Sequence, residues 1–523
     1  MALANLVHAT SFIESQANFP QIAGDASSDS TATFPTNKQN EPTIAVNPTD
    51  PTHLLLAGAN DEQREPPCGP GPVRGLTAPA NDCSFFPDIG TSGVYASSDG
   101  GANWTNMGVL DDQAAWQASP FVSDGDPVIV YGPKPDGNGG FSYANGARAY
   151  YASLASYKSG QSPFPPNKFP ELIVVSYSDD DGVTWSAPVI AFTKENPNNF
   201  NDKEDIWADR NPNSPFFGRV FVSWTQFRSS LQLPAAPIAV TYSADGGLSF
   251  TAGKQLSPAS NSSPQGTDNG RQGSAVRSGP DGSVYVAWEE LSAQVVAISR
   301  DGGDSWSHPI TIGAVADLED PIPGANFRTD SFLTIAADPR AGSSKLYAAW
   351  VNRTAGGGRV VVSTSRNKGA SWGALVTVSA AEGYAFFQGL DVAPNGRVDI
   401  GYQALTATDP GTFGTGNAFI DAYYVKKSAS SWSTPLKVTT VSSDPAASAA
   451  NSLTEQFFGD YNTLVSSNAN AWFIYTDSRH GAGCPAVDNW QKDLTPANKP
   501  APENDCLNSQ FGNTDAFVSV ITP

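Results

Sequence analysis

Short apolar runs of strand length recur along the chain, each closing near a proline. They read PTIAVNP to Pro48, PVIVYGP to Pro133, DIWADRNP to Pro212, SAVRSGP to Pro280, LTIAADP to Pro339 and GLDVAP to Pro394. A second apolar run follows and often ends in an aromatic, as at Trp224, Trp288, Trp350, Tyr402 and Tyr475. Alternating apolar segments separated by turn residues predict β-strands. After most of these pairs comes a third signal. It reads S-S-D-G-G-A-N-W at Ser97–Trp104, S-D-D-D-G-V-T-W at Ser178–Trp185, S-A-D-G-G-L-S-F at Ser243–Phe250 and S-R-D-G-G-D-S-W at Ser299–Trp306. A degenerate copy spans Ser365–Trp372, and a remnant ends at Trp432. The aspartate suits a tight hairpin in which its carboxylate accepts backbone N–H groups, and the glycine suits a positive φ. The D-D-D-G copy lacks the twelve-residue ligand ladder of a calcium loop.

Strand, turn, strand, box, strand is one four-stranded blade, and a repeat of this kind predicts a propeller. Units start near residues 41, 127, 203, 273, 330, 387 and 457. The expectation is therefore an all-β chain, one seven-bladed β-propeller over residues 1–523, with six blades as the alternative. The last unit lacks a fourth strand. The apolar stretch Leu6–Ile13 is the candidate to supply it and remove the free edges.

The S-x-D-x-G-x-x-W repeat is the Asp box, and its copies resemble the sialidase superfamily. G-D-Y-N-T-L in the last unit is similar to the G-x-Y-S-x-L that carries the sialidase nucleophile, which implies a catalytic role for Tyr461. The first unit departs from the family. Gln39-Asn40-Glu41-Pro42 stands where sialidases carry an arginine that grips the substrate carboxylate. Asp61 lies roughly where the family's acid/base aspartate is sought. Blade count and length are also similar to seven-bladed polysaccharide lyases, including rhamnose–glucuronate lyases.

Composition narrows the partners. Asp and Glu outnumber Lys and Arg by 51 to 30, a net charge of −21, which disfavours nucleic acid and anionic membranes. No apolar run is long enough to span a bilayer as a helix. The four cysteines form two local pairs, Cys68 with Cys83 and Cys484 with Cys506, and disulfides there would fit a secreted, extracellular protein. No signal peptide is visible at the start, so the chain reads as a mature, monomeric one. No cofactor is expected; a calcium ion is the one candidate, without a local motif.

Against the acidic background, the loops of one propeller face carry arginines. Arg228, Arg271, Arg328, Arg353 and Arg479 are candidates to bind an acidic sugar, because guanidinium forks grip carboxylates. Glu289 joins them as a candidate contact. The same loops offer Glu41, Asp126, Asp205, Asp330 and Asp460. The functional expectation is a carbohydrate-active enzyme on an acidic polysaccharide or glycan. It cleaves at a uronate by β-elimination, with Tyr461 and His480 moving protons. Sialidase-like hydrolysis is the alternative, with Tyr461 as nucleophile, Asp61 as acid and Glu289 or Glu455 as activator. A non-catalytic glycan-binding propeller is the third reading.

Overall fold

The computed structural model describes residues 10–19, 39–61, 72–73, 76–77, 88–165, 168, 170–192, 198–228, 235–258, 271–380, 383–407, 418–428, 431–448, 450–451, 455–492, 494–498, 500 and 512–523. Seven antiparallel four-stranded blades form a ring. Their inner strands are Gln39–Val46, Phe121–Pro135, Asn199–Ala208, Arg271–Ser278, Thr334–Ala337, Tyr384–Val392 and Thr463–Ser466. Inner strands of successive blades touch, and that of blade 7 meets that of blade 1, so the ring closes. In blade 6 the outer position is split between Ser431–Trp432 and Leu436–Lys437, where the box is only a remnant. Among the described residues no helix is long and apolar enough to cross a membrane.

The N-terminal segment closes blade 7, as the missing strand implies. The closing strand is Ser11–Gln16, antiparallel to Asp515–Thr522 with Ser11 opposite Thr522. It starts later than Leu6, and residues 6–9 lie outside the described set. Alternation explains the choice: Phe12 packs beside the blade 6–7 core while Ile13 faces out. Cys484 is buried, whereas Cys68, Cys83 and Cys506 fall outside the described residues.

The recurring hairpin turns share one geometry. In blade 1, Ser97 Oγ bonds Asp99, Gly101 N donates to Ser97 Oγ at 2.9 Å, and Asn103 N donates to Asp99 Oδ1 at 2.9 Å. The turns at Asp180, Asp245, Asp301 and Asn367 repeat the pattern. The turn glycine also lies on a seam. A Cβ on Gly182, whose φ is +88°, would sit 2.7 Å from Leu56 of blade 1. Similarly, one on Gly303 (φ +101°) would sit 3.0 Å from Tyr242 of blade 3. Three of these turns are also fastened to the preceding blade by a bond to the carbonyl just before this glycine: Trp472 Nε1 to Gly100 O at 2.8 Å, Arg148 to Gly246 O at 2.8 Å, and Arg219 to Gly302 O. The motif therefore sets both the turn and the blade-to-blade spacing. Gly182→Ala is expected to cost about 1–3 kcal/mol through φ strain and overpacking, read as a lower urea midpoint. An unchanged midpoint would mean the seam yields.

Candidate functional site

An axial channel of about 150 Å³ runs between the seven inner strands. At the end where those strands begin, charged side chains converge. The cause is a repeated backbone irregularity. The pairing of inner and second strands slips between Asn40 and Thr43, Gly125 and Val128, Asp202 and Asp205, Gln272 and Ala275, and Phe386 and Gly389. Inside these slips Glu41, Asp126, Lys203, Gly273 and Phe387 adopt φ of +52°, +49°, +56°, +64° and +47°. Such bulges re-aim side chains, and non-glycine residues pay strain to occupy them. Three of the four non-glycine residues are the charged ones at the axis. Blade 7 contributes Gly459 at φ +78°, where a Cβ would strike Glu41 Cγ at 2.4 Å, so glycine is needed to admit Glu41.

Lys203 occupies the centre. Its Nζ contacts Asp460 and lies 3.7 Å from Glu41 and 3.8 Å from Asp126. Arg328 grips Asp460 with two bonds of 2.7 and 2.9 Å and stacks over the Phe457 ring, with its own side chain 40% exposed. Asn60 Nδ2 donates to Glu41 Oε2 at 2.9 Å and to Asp126 Oδ1 at 3.4 Å, bridging the two carboxyls. Asp202 and Glu204 stand beside Asp126, with carboxylate oxygens of all three within 4.8 Å. Glu41 Oε1 has no hydrogen-bond partner among the described residues.

These neighbours split the carboxyls into two states. Burial, and then the Glu41 charge, pushes Asp126 well above the ordinary aspartate range. Glu204 is raised in the same direction, chiefly by burial. Asp460 is buried too, yet Arg328 and Lys203 overcome that and hold it well below the ordinary range. Lys203 remains an ammonium because Asp202, Asp460, Glu41 and Asp126 outweigh its burial. One mouth thus holds carboxyls whose pKa values are pushed in opposite directions, the arrangement of acid/base pairs.

Of the residues singled out in the sequence, Glu41, Asp126, Arg328, Asp460 and Tyr461 lie in this cluster. The Tyr461 ring lines the channel, while its hydroxyl is buried without a partner. Burial, Asp126 and Glu41 raise its pKa well above the usual phenol value. Asp61 ends the second strand of blade 1, where Gln39 Nε2 donates to one oxygen at 2.8 Å and Tyr95 Oη to the other at 2.7 Å. His480 bonds Asp515 Oδ2 through Nδ1 at 2.9 Å on the third strand of blade 7, and that bond raises its pKa. Arg271 is buried in a fork to Glu290. Arg228 donates to Gln226 and Gln255. Arg353 is exposed at a hairpin end. Arg479 pairs with Asp477 and Glu14. Glu289 belongs to a separate acidic group with Asp317 and Asp330. The arginines therefore do not gather into one positive pocket; each except Arg353 is engaged locally.

Sequence reasoning passed over Lys203, Asp202 and Glu204. The run D-K-E-D offered a signal, since a lone lysine among acids at a strand entry has partners on every side.

No protein-family model and no curated protein matches the chain. Among solved structures it is similar to a Hadza microbial sialidase, at 15% identity and a TM-score of 0.42 over 73% of this chain and 65% of that one. It is also similar to the leech intramolecular trans-sialidase, at 13% identity and 0.41 over 76% and 68%. An ulvan lyase follows, at 12% identity and 0.36 over 62% and 74%.

Proposed function

We propose that the propeller is a glycoside hydrolase whose catalytic pair is Asp126 and Glu41. The observation that carries this reading is the bridged carboxyl pair at the axial mouth, with Asp126 pushed well above the ordinary aspartate range. Asp126 would donate its proton to the glycosidic oxygen as the bond to the sugar breaks. Glu41, with a free lone pair on Oε1, would attack the anomeric carbon, and water would then release the sugar with Asp126 as base. Both carboxyls meet one nitrogen of Asn60, and the Glu41 side chain also bonds Asp126, which places them closer than the ~6.5–9.5 Å of inverting enzymes. Lys203 and Asp460 position the pair, and Arg328 on its Phe457 platform reaches the substrate side.

β-Elimination receives less support from the same geometry. Burial and the Asp126 and Glu41 carboxyls raise the Tyr461 pKa, and among the described residues no donor bonds its hydroxyl to lower it. His480 is committed to Asp515 outside the cluster. Five carboxyls against two cations also suit a neutral sugar, or one whose acidic group reaches Arg328 alone.

The test is a panel of neutral and uronic aryl glycosides and polysaccharides, followed by released sugar and by ultraviolet absorbance together. Released sugar without new absorbance, with the anomeric configuration kept, is the expected result. Absorbance from an unsaturated uronate would overturn hydrolysis in favour of elimination.

A further inference from the structure

A second acidic group lies at the seam of blades 4 and 5. Glu289 ends the second strand of blade 4, Val284–Glu290. Asp330 enters blade 5, and Asp317 stands in the connection between the two blades. Carboxylate oxygens of the three lie within 4.8 Å of one another. Their backbones are pinned, so they cannot splay apart. Ala316, next to Asp317, accepts from Arg353 N at 2.7 Å and donates to Asn352 at 3.1 Å. Asp330 takes bonds from Ser331 N and Gln272 Nε2.

The axial cluster resolves the same crowding with Lys203 and Arg328. Here, among the described residues, no lysine or arginine pairs with Glu289 or Asp330. Glu289 is 2% exposed, and its Oε2 has no partner. An observation from outside the acids points the same way. Gln294, fully buried and opposite Glu289 in register, donates Nε2 to Ser331 O at 2.8 Å and leaves its Oε1 without a donor among the described residues. A buried amide oxygen and an unpartnered carboxylate oxygen on facing residues are ligands of the hard-cation type.

We propose that Glu289, Asp317 and Asp330, with Gln294 Oε1, bind a divalent cation of the calcium class that clamps blades 4 and 5. Oxygen-only ligands, three of them carboxylates, match that class and not zinc or copper.

The experiment is thermal unfolding of the full chain, stripped with a chelator and then titrated with calcium chloride. The expected result is a Tm that rises by several degrees. Glu289→Gln removes charge repulsion, so it is expected to match or exceed the stripped wild type in Tm while losing most of the calcium response. Glu204→Gln, in the axial cluster, is expected to keep it. A wild-type Tm indifferent to calcium would overturn the proposal. So would a full response in Glu289→Gln, or a response lost only in Glu204→Gln, which would place the ion at the axis. The readout is independent of turnover, so the failure of this site and of the hydrolase reading are distinguishable.

Discussion

Asp126→Asn is expected to lower kcat by about 10²–10⁴-fold on glycosides with poor leaving groups, the range a positioned general acid contributes. The loss should shrink on activated aryl glycosides, whose leaving group departs without a proton. The fold should survive. Asn keeps the shape and places no charge beside Glu41, Asp202 and Glu204. The pH profile supplies a second sign. Because the Asp126 carboxyl is raised, its acid form persists above the ordinary aspartate range and is lost as pH climbs through the raised value. Wild-type activity should fall on that alkaline side, and the variant should lack that limb. Equal losses on good and poor leaving groups would remove Asp126 from proton donation. Glu41→Gln should lose activity on both substrate types, since the attack itself is impaired. Its pattern against Asp126→Asn separates the two roles.

Glu14→Ala is expected to destabilise the protein by about 3 kcal/mol, with blade 7 opening first. Glu14 lies on the closing strand and its side chain is 6% exposed. Tyr475 Oη donates to it at 2.8 Å, Arg479 at 2.8 Å and Thr440 N at 2.6 Å. Deleting the carboxylate leaves the buried Tyr475 hydroxyl only its 3.2 Å contact with Ser519 Oγ, removes the acceptor of Thr440 N and weakens the hold of Arg479, which also stacks over Phe517 at 4.0 Å. Hydrogen exchange should speed along Asp515–Thr522 before it does elsewhere. The pH dependence has a definite sign. Burial opposes ionisation of Glu14, but Arg479 and the other donors prevail and lower its pKa. Its contribution is therefore present above the ordinary glutamate value and lost as pH falls through the lowered one. The variant should lose this part of the acid sensitivity. Unchanged exchange in the last strand would mean that backbone pairing alone holds the closure.

How much of this was legible follows from the range of each interaction. The blades are local objects. Two strands, a box hairpin and an outer strand lie within some tens of residues, so apolar periodicity and turn chemistry show them directly. The carboxylates of Asp99, Asp180, Asp245 and Asp301 bond residues within four positions. That is why their residue types can be read without neighbours. The need for a closing strand was legible too, as a deficit in the last unit, although its position shifted from Leu6–Ile13 to Ser11–Gln16.

The site was legible only in part. The face was identifiable, because strand alternation places all inner-strand entries on one side, and Glu41, Asp126, Arg328, Asp460 and Tyr461 were among the residues placed there. Which of them converge was decided by the bulges. In Asp202-Lys203-Glu204-Asp205 a slip of one residue changes which side chain faces the axis, and nothing in the four letters says where the slip falls. The arginines were decided by cross-strand register and ring closure. Arg271 meets Glu290 because the two are opposite in register. Arg479 meets Glu14 because the first and last strands pair across the whole chain. The sequence by itself determined the repeat, the turn chemistry and the blade count, since these depend on contacts a few residues apart. Only the tertiary structure decided which charges share the axis and which are bound as rivets, since those contacts join residues from different blades.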